Sequence, residues 1–398
     1  MNIGIFTDTY LPDINGVVTS VVTLKKTLEA KGHTVYVVTN HDDLLKTTYK
    51  DYVLRLPALK LDFLYGYKLT NPIQIAAAKP IKSWNLDLIH VHQEFGVGIF
   101  GRSIANAFNI PLVSTYHTTY EDYTHYINYF KLEKFERLSK KAVGGLSKTF
   151  TKQSNIVIAP SEKTKQLLVS YGVENKIEVV PTGLDLDKFD YKKTSEKLLN
   201  KIKLECNIKD DETVFIYLGR LAKEKSVDIP IKAFKILKDE NIKARFIIVG
   251  GGPELKNLEK LVLSLDLSDY VSFLGVKNSE DVPAYYHVAD AFISASTTET
   301  QGLTYIEALA SGLGLFAKRD EVLDNLVIEN KTGYFFDDEV ELAKKLEVFI
   351  KDKSVKEEIK KNALEISQTY SLDNYYDNII KCYNRAIEMD KDARNKGN

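Results

Sequence analysis

The chain is 398 residues long and carries 54 Lys+Arg against 55 Asp+Glu, a formal net charge of −1 at pH 7. That length predicts two domains, and the lack of a basic excess excludes a generic nucleic-acid binder. Cys206 and Cys382 stand too far apart to form a local metal motif, which excludes a disulfide framework or zinc site and fits a reducing, cytoplasmic setting.

From the N-terminus, Met1 leads straight into an apolar strand at 2–6. There is no basic segment, long apolar run or cleavage site, so no signal peptide is expected. No apolar stretch approaches the ~18 residues that would predict a transmembrane helix. The strand ends in Asp8-Thr9-Tyr10-Leu11-Pro12-Asp13-Ile14-Asn15-Gly16-Val17-Val18, and a helix follows at about 17–31. Gly16 opens that helix, where free backbone N–H groups suit a phosphate. Further strands are predicted at 34–39, 87–92, 111–116, 155–159 and 177–181. Between them, residues 59–84 set Lys60, Lys68, Lys79 and Lys82 among Phe63, Tyr65, Tyr67 and Trp84.

The strand at 111–116 runs into Ser114-Thr115-Tyr116-His117-Thr118-Thr119-Tyr120 and aims His117 at the ligand-binding edge of the sheet. Over 131–152, helical spacing puts Leu132, Phe135, Leu138, Ala142, Val143, Leu146 and Phe150 on one face. Lys134, Arg137, Lys140, Lys141, Lys148 and Lys152 lie opposite, with Lys131 at the edge and Gly144-Gly145 interrupting. Such a helix can lie on an anionic bilayer, or it can be an ordinary core helix with a solvated basic side. Charge is uneven along the chain: residues 1–175 hold 20 Lys+Arg against 15 Asp+Glu, leaving 34 against 40 for the rest.

Residues 182–211 are polar and mark the boundary. Within them Asp185-Leu186-Asp187 mimics a metal-binding Asp-x-Asp but stands away from the strand ends, and no metal site is expected there. A second series of strands follows at 213–219, 245–250, 270–275, 290–294, 314–317 and 333–336, with helical stretches between. Alternation of this kind means parallel sheets and an α/β fold. We expect one Rossmann-like domain at 1–185, a second at 210–370, and a helix at 371–398 crossing back towards the first. In doubly wound sheets ligands bind beyond the carboxyl ends of the strands, so two facing domains would hold their ligands in a central cleft.

Three motifs of the second half lie at such ends. Gly219-Arg220-Leu221-Ala222-Lys223-Glu224-Lys225 leaves its strand with two cations five residues apart, able to grip a diphosphate. Gly250-Gly251-Gly252-Pro253-Glu254 fails as a dinucleotide fingerprint because Leu255 stands where the last glycine belongs, and reads as a tight turn. Glu299-Thr300-Gln301-Gly302-Leu303-Thr304-Tyr305-Ile306-Glu307 opens a helix whose N–H groups suit phosphate, with Glu299 placed for sugar hydroxyls and Glu307 for ribose hydroxyls.

Together these strings resemble the retaining glycosyltransferases of GT-B fold, family four, over nearly the whole chain. The resemblance implies two doubly wound Rossmann-like domains and a catalytic set of His117, Glu299, Arg220 and Lys225. It implies donor contacts from Gly16, Arg220, Lys225, Val276, Glu299, Gly302, Leu303, Thr304 and Glu307. Pro181-Thr182-Gly183-Leu184-Asp185 matches a family string with threonine where asparagine is usual, and Ser226 follows Lys225 where glycine is usual. The first half looks like the bacterial branch that acts on membrane diacylglycerol. That implies transfer of glucose from UDP-glucose to the 3-hydroxyl of 1,2-diacylglycerol by a peripheral protein on the cytoplasmic face of the membrane. Lys131, Lys134, Arg137, Lys140, Lys141, Lys148 and Trp84 would then meet anionic lipid. No tightly held cofactor is implied beyond UDP-sugar as co-substrate, with Mg²⁺ an accessory activator at most. The alternatives are a galactosyl donor, mannosyl transfer to phosphatidylinositol, or a soluble acceptor. Outside the family stand a glycoside hydrolase with two flanking carboxylates, a nicotinamide enzyme and a non-catalytic membrane binder.

Overall fold

A computed structural model describes residues 1–397 except 14, 42, 45, 62–66, 118–143, 146 and 210. The chain divides into two compact units, Met1–Gly183 with Leu372–Asn398, and Leu184–Ser371.

The first unit runs β1 (Asn2–Phe6), α1 (Gly16–Ala30), β2 (Thr34–His41), β3 (Thr48–Lys50), β4 (Val53–Leu61), β5 (Tyr67–Thr70), α2 (Ile75–Ser83), β6 (Leu88–Val91), α3 (Gly96–Phe108), β7 (Leu112–Thr115), β8 (Ile156–Ala159), α4 (Glu162–Ser170) and β9 (Lys176–Val179). Its sheet is ordered β3-β4-β2-β1-β6-β7-β8-β9, with β5 on β4. All neighbours are parallel except β3 and β5, which pair antiparallel with β4. The second unit runs α5 (Glu196–Glu205), β10 (Thr213–Leu218), α6 (Asp228–Asp239), β11 (Ala244–Val249), α7 (Leu255–Ser264), β12 (Val271–Gly275), α8 (Val282–His287), β13 (Ala291–Ser294), α9 (Leu303–Ala310), β14 (Gly314–Lys318), β15 (Gly333–Phe336), α10 (Glu339–Lys351) and α11 (Lys353–Ser367). Its parallel sheet is ordered β12-β11-β10-β13-β14-β15, the doubly wound 3-2-1-4-5-6 pattern. Each unit is the α/β, Rossmann-like parallel-sheet architecture that the strand alternation predicts.

Each sheet is covered on both faces, which is why its strands read as continuous apolar runs. In the first unit Ile3, Ile5, Val35 and Val37 pack with Tyr375, Ile379, Cys382, Tyr383 and Ala386 of the last helix, α12 (Leu372–Gly397). Phe6, Val38, Leu54, Leu56, Ile89 and Val91 form the opposite layer with α2 and α3. In the second unit Val214 and Ile216 point to one layer and Phe215 and Tyr217 to the other.

All twelve strands expected from sequence are present, with ends shifted by at most two residues. Three more, β3 to β5, are not among the expected strands; β5 and the end of β4 fall within the basic stretch at 59–84. One expectation changes here. The described part of residues 59–84 contributes the end of β4, its antiparallel partner β5 and α2. Trp84 is not presented to lipid: it is 7% exposed and stacks on Tyr36 at 4.5 Å, with Tyr49 at 5.7 Å. Sequestering a large aromatic between two tyrosines gains more than leaving it in water.

Candidate functional site

In a 3-2-1-4-5-6 sheet the crevice opens where the first and fourth strands part, here between β10 and β13. Past the end of β10, Gly219 and Arg220 lead to a short 3-10 turn, Lys223–Lys225, which ends at Ser226 in the left-handed region (φ 48). A side chain there costs about 1–2 kcal/mol, which accounts for the glycine usual at this position. The turn aims Lys225 across the crevice. Its Nζ donates to Glu299 Oε1 at 2.7 Å and to Ser296 Oγ at 3.2 Å, both past the end of β13. Lys225 and Glu299 are largely shielded from solvent. Arg220 is half-exposed and pairs with Glu224 at 2.7 Å. Tyr217 Oη donates to the Arg220 carbonyl at 2.9 Å and pins the loop. Both cations are thus paired with carboxylates, Arg220 with Glu224 and Lys225 with Glu299.

Gly302, at φ 77, turns the chain from this loop into α9. The helix start leaves the N–H groups of Leu303 and Thr304 without intrahelical acceptors, and they form the positive end of the helix dipole. One turn further on, Glu307 Oε2 accepts from Tyr286 Oη at 2.9 Å. Desolvation pushes the Glu307 carboxyl up to about 7, with the Tyr286 hydroxyl and the more distant Lys188 pulling the other way. Val276, 76% exposed, follows β12 beside the glycine loop, where Gly251 comes close to its side chain. Asp187 pairs with Lys193 at 2.9 Å. Among the described residues no group of three His, Cys, Asp or Glu side chains gathers in metal-ligand geometry.

The same logic places a second edge in the first unit, between β1 and β6. Gly16 is exposed at the start of α1, where Asn15 Oδ1 caps the N–H of Val18 at 2.9 Å. Asp8 follows β1; it is buried, accepts from the N–H of Val97 at 2.8 Å, and burial raises its carboxyl to about 6 against that hydrogen bond. His117 follows β7 and meets His92 at 2.8 Å. Lys148 pairs with Glu174 at 2.9 Å. Lys131, Lys134, Arg137, Lys140 and Lys141 lie outside the described residues.

The structure therefore brings Lys225 and Glu299 into contact, with Gly302, Leu303 and Thr304 in the same loop and helix start and Glu307 on that helix. Sequence reasoning passed over Ser296, Glu224 and Tyr286, which hold these groups. It also passed over His92, although His90-Val91-His92 at a strand's carboxyl end is a readable signal.

Comparison with known proteins matches both halves. A family profile described as "Glycosyltransferase Family 4" covers residues 14–188, and one described as "Glycosyl transferases group 1" covers 200–366. The chain is 35% identical over 398 residues to the alpha-monoglucosyldiacylglycerol synthase of Acholeplasma laidlawii, covering 100% of each. It is 36% identical over 349 residues to the protein of that name from Streptococcus pneumoniae, covering 86% of this chain and 77% of that one. Among solved structures, Anabaena HepE in complex with UDP superposes with a TM-score of 0.74 at 18% identity, covering 96% of this chain and 99% of that one.

Proposed function

This chain belongs to the GT-B glycosyltransferases of family 4, and on that premise we propose that it is a retaining hexosyltransferase moving glucose from UDP-glucose to the 3-hydroxyl of a 1,2-diacylglycerol, making alpha-monoglucosyldiacylglycerol at a membrane surface. The observation that carries the acceptor is end-to-end identity of 35% with the Acholeplasma laidlawii synthase, which includes the first unit as well as the donor half.

In this reading Arg220 and Lys225 hold the diphosphate with the N–H groups of Leu303 and Thr304, Glu299 orients the sugar, Glu307 takes the ribose hydroxyls and Val276 borders the base. Gly16 and His117 serve from the first unit. As the bond from the anomeric carbon to the phosphate oxygen breaks, negative charge grows on the β-phosphate, where the two cations stabilise it. The acceptor oxygen bonds to the anomeric carbon from the same face, and its proton passes to the departing phosphate. UDP and the α-glycolipid leave.

Membrane contact is peripheral in this reading, and among the described residues no helix is long and apolar enough to cross a bilayer. Leu44, Leu59, Leu69, Ile73 and Ile75 are exposed, the last two at 71% and 82%, and Lys79 and Lys82 are exposed beside them. Exposed apolar groups beside cations suit an anionic lipid surface.

The test is incubation of purified protein with labelled nucleotide sugars and diacylglycerol in anionic vesicles. A glucolipid formed from UDP-glucose, with vesicle binding that weakens as salt rises, is the expected result. Absence of lipid product from every donor would defeat the assignment.

Glu307 supplies a second check. Ribose hydroxyls donate to its ionised form, and with a free-state value of about 7 that form is the minority at lower pH. UDP affinity should therefore rise roughly tenfold between about pH 6 and about pH 8. Glu307→Gln should remove that rise and leave only the change intrinsic to UDP. Calorimetric titration of both proteins decides it; parallel curves would exclude the carboxylate from the ribose site.

A further inference from the structure

Three imidazoles cluster at the carboxyl ends of β6 and β7 in the first unit. His90 is buried, its Nδ1 2.8 Å from Tyr383 Oη and its Nε2 2.7 Å from Thr115 Oγ1. The ring of His92 lies 4.2 Å from that of His90. His92 Nδ1 stands 2.8 Å from His117 Nε2, with the two rings stacked at 5.1 Å and 20°. Two nitrogens are left over. His92 Nε2 is buried and has no partner among the described residues. His117 Nδ1 has none among them either, and it is not one of the buried orphaned atoms.

We propose that His92 is a positioning residue that fixes the tautomer of His117, so that His117 presents an Nδ1–H donor, rather than a lone pair, to the reacting groups. The inference rests on the glycosyltransfer reading above and assigns His117 one of two opposite chemical roles within it.

A hydrogen bond between neutral imidazoles needs one donor and one acceptor. Suppose His117 Nε2–H donated to His92 Nδ1. His92 would then carry its proton on Nε2, burying an N–H with no acceptor. In the reverse arrangement His92 Nδ1–H donates, and only a lone pair is left bare inside. Buried donors without acceptors are the rarer defect, so the reverse arrangement wins. His117 Nε2 then accepts, and its proton sits on Nδ1, the relation by which one ring nitrogen's bond dictates the state of the other. His90 imposes no competing demand, because both of its partners are hydroxyls, which can donate or accept. Burial holds His90 down to about 3 and His117 down to about 4, and it takes His92 well below the usual imidazole range. All three are neutral at neutral pH. A neutral Nδ1–H cannot take the acceptor's proton. It can donate to an oxygen of the sugar or of the acceptor, which agrees with the departing phosphate as the group that accepts the proton.

Two measurements on the full chain test this. Long-range ¹⁵N–¹H correlation of ¹⁵N-histidine-labelled protein, without substrate, should show both His92 and His117 protonated on Nδ1; a His117 protonated on Nε2 overturns the proposal. Two isosteric variants then separate the roles. His92→Asn keeps a donor close to the original Nδ1 and should hold kcat within about threefold, whereas His92→Leu keeps the bulk without any donor and should lower kcat by about tenfold or more. The KM for UDP-glucose should stay near its original value in both. Equal kcat for the two variants, with both folded by thermal melt, also overturns it. A native protein that shows the expected tautomers yet makes no glycolipid refutes the acceptor assignment instead, and leaves the His92–His117 arrangement established.

Discussion

Lys225→Ala is expected to lower kcat for glucolipid synthesis by about 10²- to 10³-fold, with little change in melting temperature. The size follows from what Lys225 touches. Its ammonium sits 2.7 Å from Glu299 Oε1 and 3.2 Å from Ser296 Oγ, and neither contact belongs to the hydrophobic core. Removing it takes a fixed positive charge from where phosphate charge grows, and it frees Glu299 to swing. Partly exposed ion pairs contribute little to folding, so stability should survive while turnover does not. Lys225→Arg keeps the charge but not the reach, and should recover only part of the loss. Steady-state kinetics with UDP-glucose and vesicle-borne diacylglycerol, alongside a thermal melt, provides the check. Turnover within about threefold of the native value would remove Lys225 from the diphosphate site.

The fold and the donor half were legible for one physical reason. Strands covered on both faces must be apolar along their length, and in a doubly wound sheet function collects where they end. Hence Thr213–Leu218 and Ala291–Ser294 announce themselves, and the polar strings after them are the ones in contact. Strands β3 to β5 were less legible because they lie at the antiparallel margin, where charged and aromatic residues interleave. The alternation of buried Leu54, Leu56 and Ala58 with more exposed neighbours was the usable signal, and the lysines nearby obscured it. Trp84 misled for the same reason: an amphipathic ring suits a bilayer interface and a tyrosine-lined slot alike, and sequence spacing does not separate them. Tyr286 and Ser296 were invisible because they act through Glu307 and Lys225, partners reached only when the strands are laid side by side.

Gly250→Ala should be the most disruptive single-methyl change near the site, and Gly251→Ala one of the mildest. Gly250 stands at φ 140, and a Cβ there would lie 1.9 Å from the carbonyl oxygen of Gly219. The obstacle is backbone, so no side chain can rotate away. Positive φ and overpacking each cost about 1–3 kcal/mol. Together they imply a loss of several kcal/mol, or a melting temperature lower by roughly 10 °C. The effect on function should exceed that of stability alone. Gly219 N–H donates to Val249 O at 3.0 Å and Leu221 N–H to Gly251 O at 2.9 Å, so the loop carrying Arg220 lies directly on the glycine loop. Pushing one moves the other, and UDP affinity should fall with stability. At Gly251 the added Cβ would meet only the Val276 Cγ2 atom, at 3.0 Å, on an exposed side chain that can turn aside. Gly250 and Gly252, whose added Cβ atoms would lie 1.9 Å from the Gly219 carbonyl oxygen and 2.2 Å from that of Leu221, therefore answer to the packing of one loop on another, and the triplet lacks the spacing of a dinucleotide fingerprint. Melting curves and UDP titrations of the two variants decide the point, and equal tolerance at both positions would refute it.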